Sequence, residues 1–170
     1  MKTIFIDMDG VLCDFEKKYE ELFKVPTREV RNNKDDKLYK KNWNEFLDQQ
    51  GFKYLDWFEG GKELYRFLES LEIQLCILSS AGGFHRQKLV MHQKLDWLAH
   101  NGIFCPAVIV PGRKYKAGFA SKDSFIIDDT ADVVESFIQN GGSGVVHKNV
   151  DDTITAVKSW MIGSSLPLYK

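Results

Sequence analysis

The sequence lacks three features that would each define a class of protein. It has no long hydrophobic run, since its apolar stretches have the length of a strand and are too short to cross a membrane. Its three cysteines, Cys13, Cys76 and Cys105, are odd in number and form no C-x-x-C pair, which argues against a disulfide framework. The acid Asp7 also comes too early for the apolar stretch of a secretory signal. We therefore expect a soluble, cytoplasmic protein with reduced thiols.

The chain also has no excess of charge of either sign. It carries 23 basic and 24 acidic residues, for a formal net charge of −1. Without a global positive field, a polyanion would not be held by phosphate contacts alone, so nucleic acid is not the expected partner. With 170 residues, of which 44% are hydrophobic and 28% charged, the chain is long enough for one α/β domain with its own core and too short for a second full domain.

Short apolar runs recur along the chain and predict buried parallel strands, and the segments between them have the helical spacing of apolar residues. This alternation predicts a Rossmann-like, doubly wound parallel sheet, in which ligands bind outside the carboxyl ends of the strands. Residues 14–59 break the alternation and predict a small helical insertion over those strand ends. The predicted strands are 3–6, 73–78, 107–110, 124–127 and 144–146, and the clearest predicted helices are 62–71 and 84–99.

Two acidic pairs stand directly after predicted strands. Asp7 and Asp9 follow the first strand, and Asp128 and Asp129 follow the strand at 124–127. If these strands are parallel and close, the carboxylates converge, and they would take up protons unless a cation lies among them. Hard oxygen ligands in an open site suit Mg²⁺ better than zinc. The two pairs therefore predict a magnesium site.

A polar strand end and a lysine complete the set of candidate residues. Ser79 and Ser80 follow an apolar strand and precede two glycines, so their hydroxyls and the free N–H groups favour phosphate. The alternative is a helix cap followed by flexible glycines. A phosphoryl group also needs a fixed positive charge, and one of Lys114, Lys116 and Lys122 is expected to supply it.

The order of these features along the chain resembles that of the haloacid dehalogenase-like (HAD) phosphatases. In that family an Asp-x-Asp strand end is followed by a serine or threonine strand end, a lysine and an acidic pair. The stretch 7–16, with Trp57-Phe58 and Gly60-Gly61, looks especially like the 5′(3′)-deoxyribonucleotidase branch. The resemblance covers most of the chain. It implies a catalytic core made of residues 1–13 and 60–170, with residues 14–59 forming a helical cap.

The resemblance also implies roles for the acidic residues. Asp7 would be the nucleophile that forms an aspartyl-phosphate, and Asp9 the general acid and base. Mg²⁺ would be held by Asp7, by Asp128 and by the backbone carbonyl of Asp9. Asp129 would not bind the metal itself but would orient the water molecules or side chains that do.

On the substrate side, the resemblance implies that Ser79, Ser80 and Lys116 bind the phosphoryl group and that Phe15 lies near a base. Lys116 is preferred because Lys116-Ala-Gly-Phe-Ala resembles the K-x-x-x-A arrangement of several relatives. The implied reaction is the hydrolysis of (deoxy)nucleoside monophosphates to nucleoside and phosphate. Two alternatives stay open. The substrate could instead be a 3′-phosphorylated DNA end or a phosphosugar, or the protein could bind a nucleotide or phosphoprotein without catalysis. The sequence also leaves open the preferred base and sugar, the choice between 5′ and 3′ phosphates, and the oligomeric state.

Overall fold

The computed structural model describes residues 1–26 and 37–163, and it places five parallel strands in one sheet. The sheet has the order β3-β2-β1-β4-β5, so β1 lies at its centre. Ile6 at the end of β1 is opposite Ile77 of β2 on one side and Ile127 of β4 on the other. The strands are β1 Thr3–Ile6, β2 Gln74–Ser80, β3 Ala107–Val110, β4 Ser124–Asp128 and β5 Ser143–Val146.

Helices cover both faces of this sheet, which gives the doubly wound α/β architecture that the alternation predicted. Successive residues of a strand point to opposite faces. Ile4 and Ile6 of β1 accordingly belong to one apolar core, whereas Phe5 belongs to a second core on the other face. The helices are α1 Phe15–Phe23, α2 Lys37–Asp48, α3 Gly61–Glu69, α4 Gln87–His100, α5 Ala131–Gln139 and α6 Val150–Met161, with 3-10 helices at Gly51–Tyr54 and Arg113–Phe119.

The five predicted strands are confirmed to within two residues at their ends, and one helix start is different. The helix predicted over 84–99 begins at Gln87. Gly82 and Gly83 have positive φ angles, and Arg86 adopts the left-handed conformation with φ 56°, so the chain cannot enter the helix earlier. No disulfide joins the three cysteines. Within the described ranges, no helix combines the length and the hydropathy that a membrane span needs.

The described part of segment 14–59 is held together by aromatic side chains. Phe15 of α1 lies 5.2 Å from Phe46 of α2 and stacks at 5.4 Å on Phe52 of the first 3-10 helix, measured between ring centroids. The segment rests on α4, where Gln93 accepts the Phe52 N–H and donates to the Leu47 carbonyl. The division into a core and a cap domain stays a prediction. Residues 27–36 of this segment lie outside the described residues.

Candidate active site and metal centre

The candidate site lies at the carboxyl ends of the three central strands. Asp7 directly follows β1, Ser79 and Ser80 end β2, and Asp128 ends β4. Because β1 runs between β2 and β4, Asp7 stands in the middle. Carboxylate oxygens of Asp7, Asp128 and Asp129 lie within 4.8 Å of one another. The structure thus brings Asp7, from the first predicted acidic pair, together with both members of the second pair.

The turn after Asp7 makes room for the second acidic pair. The backbone N–H groups of Leu12 and Cys13 both donate to the Met8 carbonyl, at 2.8 and 2.9 Å, which closes a tight loop. Gly10 within it has φ +76°, and a Cβ at this position would lie 2.5 Å from an oxygen of Asp129. Glycine is therefore required here both for the backbone conformation and for the close approach of Asp129.

Lys116 connects the two acidic pairs. The second 3-10 helix brings its side chain into the site, where the residue is 1% exposed. The Lys116 Nζ lies 2.9 Å from Asp7 Oδ2 and 2.7 Å from Asp128 Oδ2. Burial opposes its charge, but the Asp7 and Asp128 carboxylates outweigh this effect and raise the pKa of Lys116. The other two candidate lysines, Lys114 and Lys122, are exposed.

Asp128 shows why this side of the site fits a divalent cation. Its Oδ1 accepts the Thr130 N–H at 3.0 Å, and its side chain is fully buried. Burial, followed by the nearby Asp7 carboxylate, raises the pKa of Asp128 to about 7, although Lys116 acts in the opposite direction. A cation among these carboxylates would favour the ionised form. Oxygen donors from Asp7, Asp128 and Asp129 form a ligand set that suits Mg²⁺.

The β2 side of the site contains a lysine that the sequence reasoning missed. Lys94 of α4 is completely buried. Its Nζ lies 2.6 Å from Asp9 Oδ2, 2.8 Å from Ser79 Oγ and 2.9 Å from the Ser80 carbonyl oxygen. The signal was available, because Lys94 occupies the apolar stripe of its helix, four residues after Val90.

The other predicted residues on this side occupy distinct surroundings. Ser79 is fully buried under Lys94, and the Ser80 hydroxyl accepts the Gly82 N–H at 3.1 Å, which shapes the loop that follows. Whether Ser79 and Ser80 bind phosphate stays a prediction. Phe15 is 5% exposed and belongs to the aromatic core described above. Its contact with a base also stays a prediction.

Cys13 contacts the candidate acid/base but is not suited to be a nucleophile. Its thiol donates a long hydrogen bond of 3.6 Å to Asp9 Oδ1. Burial, followed by the charge of Asp9, raises the pKa of Cys13 well above its ordinary value. Since the thiolate is the reactive form, this cysteine acts as a weak hydrogen-bond donor. Asp9 itself keeps 23% of its side chain exposed, so substrate and water can reach it.

Comparison with known proteins adds information on the fold. A hydrolase from Streptococcus pneumoniae TIGR4 aligns over 93% of this chain and 100% of its own, with a TM-score of 0.53 and 12% identity. A dehalogenase aligns over 85% of this chain and 83% of its own, with a TM-score of 0.54 and 11% identity. A predicted phosphatase from Clostridium acetobutylicum aligns over 84% of this chain and 82% of its own, with a TM-score of 0.53 and 12% identity. No protein-family model matches the sequence, and neither does any curated protein. At these identities, the similarities show that the chain shares the α/β fold of these structures.

Proposed function

We propose that the protein is a Mg²⁺-dependent phosphatase of the haloacid dehalogenase-like type that uses Asp7 as a covalent nucleophile. The observation that carries this proposal is the position of Lys116, whose ammonium group bridges Asp7 and Asp128 beside Asp129. A nucleophilic carboxylate, a cation and a hard-ligand metal set at the ends of parallel strands are the parts that phosphoryl transfer needs. The shared fold supports the same conclusion.

In the first step, Asp7 would attack the phosphorus atom of the substrate. The Met8 N–H binds Asp7 Oδ1 at 2.8 Å and fixes the carboxylate. A bond forms between an Asp7 oxygen and phosphorus, the bond to the leaving alcohol breaks, and Asp9 gives its proton to the leaving oxygen. Among the described residues, Lys116 has two carboxylate acceptors, so its third N–H can reach a phosphoryl oxygen. Mg²⁺ would be held by Asp7, Asp128 and the Asp9 carbonyl, with Asp129 close enough to bind it directly or through water, and would neutralise charge on the phosphoryl group.

In the second step, the aspartyl-phosphate would be hydrolysed. Asp9, now a carboxylate, takes a proton from water, and the resulting hydroxide attacks phosphorus while the Asp7 oxygen leaves. Phosphate departs and both aspartates regain their starting states. A protein that only binds phosphorylated ligands would not need a partly exposed carboxylate at Asp9 in addition to Asp7, so catalysis is the better explanation of the pair.

For the substrate, we propose a (deoxy)nucleoside monophosphate, which would make the protein a 5′(3′)-deoxyribonucleotidase of cytoplasmic nucleotide metabolism. One observation supports this choice, namely the resemblance of residues 7–16 to that branch. Phe15 is the ring that the resemblance assigns to the contact with a base. Segment 14–59 would act as the cap that shields the intermediate from solvent.

Phosphate release from a panel of substrates tests both the proposed mechanism and the proposed substrate. The panel contains 5′- and 3′-deoxynucleotides, ribonucleotides, phosphosugars and 3′-phosphorylated oligonucleotides, each with Mg²⁺ or with chelator. We expect Mg²⁺-dependent release that is fastest from deoxynucleoside monophosphates. Activity confined to phosphosugars or DNA ends would refute the substrate and leave the mechanism intact. The absence of Mg²⁺-dependent release from every member would contradict the mechanism.

A further inference from the structure

Lys94 on the β2 side of the site has no role in the mechanism described so far. It is fully buried and contacts both the candidate acid/base Asp9 and the candidate phosphate ligand Ser79. We propose that Lys94 is a positioning residue, which holds the Asp9 carboxylate in the orientation for proton transfer and fixes it relative to Ser79. This inference rests on the proposed function, because it needs Asp9 to be the general acid and base.

The hydrogen bonds of Lys94 exclude a direct role in binding substrate. A lysine ammonium group has three N–H donors. All three have acceptors here, namely Asp9 Oδ2, Ser79 Oγ and the Ser80 carbonyl oxygen. The ring of Phe52 covers the group from another direction, with its centroid 4.8 Å from Nζ. Lys94 can therefore act on the reaction only through the groups that it holds.

The environment of Lys94 is also not one that stability alone would select. A buried ammonium group loses its hydration, and a buried ion pair contributes little compared with well-packed apolar side chains. Lys94 lies in the stripe of α4 that contains the buried apolar residues Val90, Trp97 and Leu98, where a lysine is unusual. The presence of a charge at this position, in contact with Asp9, points to a functional reason.

The contacts also indicate which oxygen of Asp9 exchanges the proton. Lys94 occupies Oδ2 at 2.6 Å. In the described part of the chain, Oδ1 has the weak and long contact with the Cys13 thiol, at 3.6 Å. A thiol is a poor donor and gives way to a stronger partner. We therefore assign Oδ1 to the leaving oxygen in the first step and to the attacking water in the second, while Oδ2 serves as the anchor.

The leaving group of the substrate distinguishes a positioning role from a structural one. The value of kcat/KM reports steps up to departure of the leaving group, and an alkoxide needs a proton from Asp9 whereas p-nitrophenolate does not. In Lys94→Met we expect kcat/KM for a deoxynucleoside monophosphate to fall roughly 10- to 100-fold, and that for p-nitrophenyl phosphate by less than about threefold. Equal losses for both substrates in a folded protein would overturn the proposal.

A double-mutant cycle with Asp9→Asn tests whether Lys94 acts through Asp9. If it does, adding Lys94→Met to Asp9→Asn should change kcat/KM for the deoxynucleotide by less than about twofold, because the group being positioned is already lost. Full additivity of the two losses would overturn the proposal. Lys88→Met, at an exposed lysine of the same helix, is the matched control and should behave like the wild type.

Two further comparisons keep the outcomes distinct. If Lys94→Met does not fold, judged by its thermal transition, Lys94→Gln carries the same test, since its amide keeps two N–H donors without the charge. If the wild-type protein releases phosphate from neither substrate, the proposed function fails and the inference fails with it. If the wild type is active and Lys94→Met matches it on the deoxynucleotide, the inference alone is wrong.

Discussion

The β4 side and the β2 side of Asp7 each contain a buried lysine, but the two lysines differ in the number of carboxyl groups around them and in how many of their N–H donors already have acceptors. On the β4 side, Lys116 stands between the carboxylates of Asp7 and Asp128. On the β2 side, Lys94 faces one carboxylate, that of Asp9, and its other two acceptors are neutral oxygens. The β4 side therefore has negative charge in excess, which a cation can neutralise, whereas the β2 side pairs one ammonium group with one carboxyl group.

In the proposed mechanism, residue type and burial alone therefore do not define the role of a lysine. Both side chains are almost completely inaccessible to solvent. Among the residues that the structure describes, Lys116 has two acceptors, and the proposed mechanism assigns its third N–H to a phosphoryl oxygen, whereas the donors of Lys94 are all used. The number of acceptors thus separates a group that can bind substrate from a group that holds its neighbours in place. Four experiments test this comparison.

The largest effect is expected at the residue between the two sides. Asp7→Asn removes the proposed nucleophile, so phosphate release should fall by roughly 10⁴-fold or more, as for other covalent nucleophiles. The measurement is Mg²⁺-dependent phosphate release, with the thermal transition as a control for folding. A folded Asp7→Asn protein with near-normal turnover would show that neither lysine flanks a nucleophile.

Lys116→Met should have the next largest effect and should differ in kind from Lys94→Met. If Lys116 supplies the cation that binds the phosphoryl group, its loss weakens transition-state binding of every substrate alike, so we expect kcat/KM to fall roughly 10²- to 10³-fold for alkyl and aryl phosphates equally. The ratio of kcat/KM between a deoxynucleotide and p-nitrophenyl phosphate is the informative quantity. A change in this ratio like that expected for Lys94→Met would remove the distinction between the two sides.

The charge excess on the β4 side predicts how stability depends on pH and on metal. Below 3.8, the ordinary pKa of an aspartate, Asp128 is protonated in both states, and from there to about 7 the folded protein retains a proton that the unfolded chain has lost. The metal-free protein should therefore become less stable as the pH rises through this window. Mg²⁺ should raise the Tm more at about pH 8 than at about pH 5, because protons compete with the metal.

Asp128→Asn is the control for this experiment. Without the carboxyl group, the metal-free variant should lose less stability than the wild type across the same pH window, and Mg²⁺ should change its Tm little. Thermal unfolding at several pH values, with and without chelator, measures both effects. An equal response to Mg²⁺ in the variant and the wild type would place the metal elsewhere.

The smallest effect concerns Phe15, which lies in the aromatic core of segment 14–59. Phe15→Leu should lower the free energy of unfolding by about 1–2 kcal/mol, because the ring packs between Phe46 and Phe52. If Phe15 also contacts a base, the KM for deoxynucleotides should rise while the KM for p-nitrophenyl phosphate stays constant. If the KM changes equally for both substrates, Phe15 contributes only to packing and does not contact the base.

The sequence was sufficient to predict which residues of the candidate site lie at strand ends. Asp7, Ser79 and Asp128 each close an apolar run, and parallel strands bring such ends to one edge of the sheet. Lys94 was missed because a lysine in a helix is ordinarily exposed. Its place in the apolar stripe could be read from spacing, but its contacts depend on the rotation of α4 against β2, which spacing does not fix. The helix start at Gln87 depends likewise on backbone angles of the preceding loop.

The most direct test of the central claim is to trap the phosphorylated nucleophile. Asp9→Asn should react with p-nitrophenyl phosphate, whose leaving group needs no acid, and should then hydrolyse the intermediate slowly for lack of a base. Rapid acid quench, borohydride reduction of the acyl phosphate and peptide mass spectrometry would locate the modified residue. We predict Mg²⁺-dependent modification at Asp7. Release of p-nitrophenolate with no modification at Asp7, or with modification at another residue, would contradict the account.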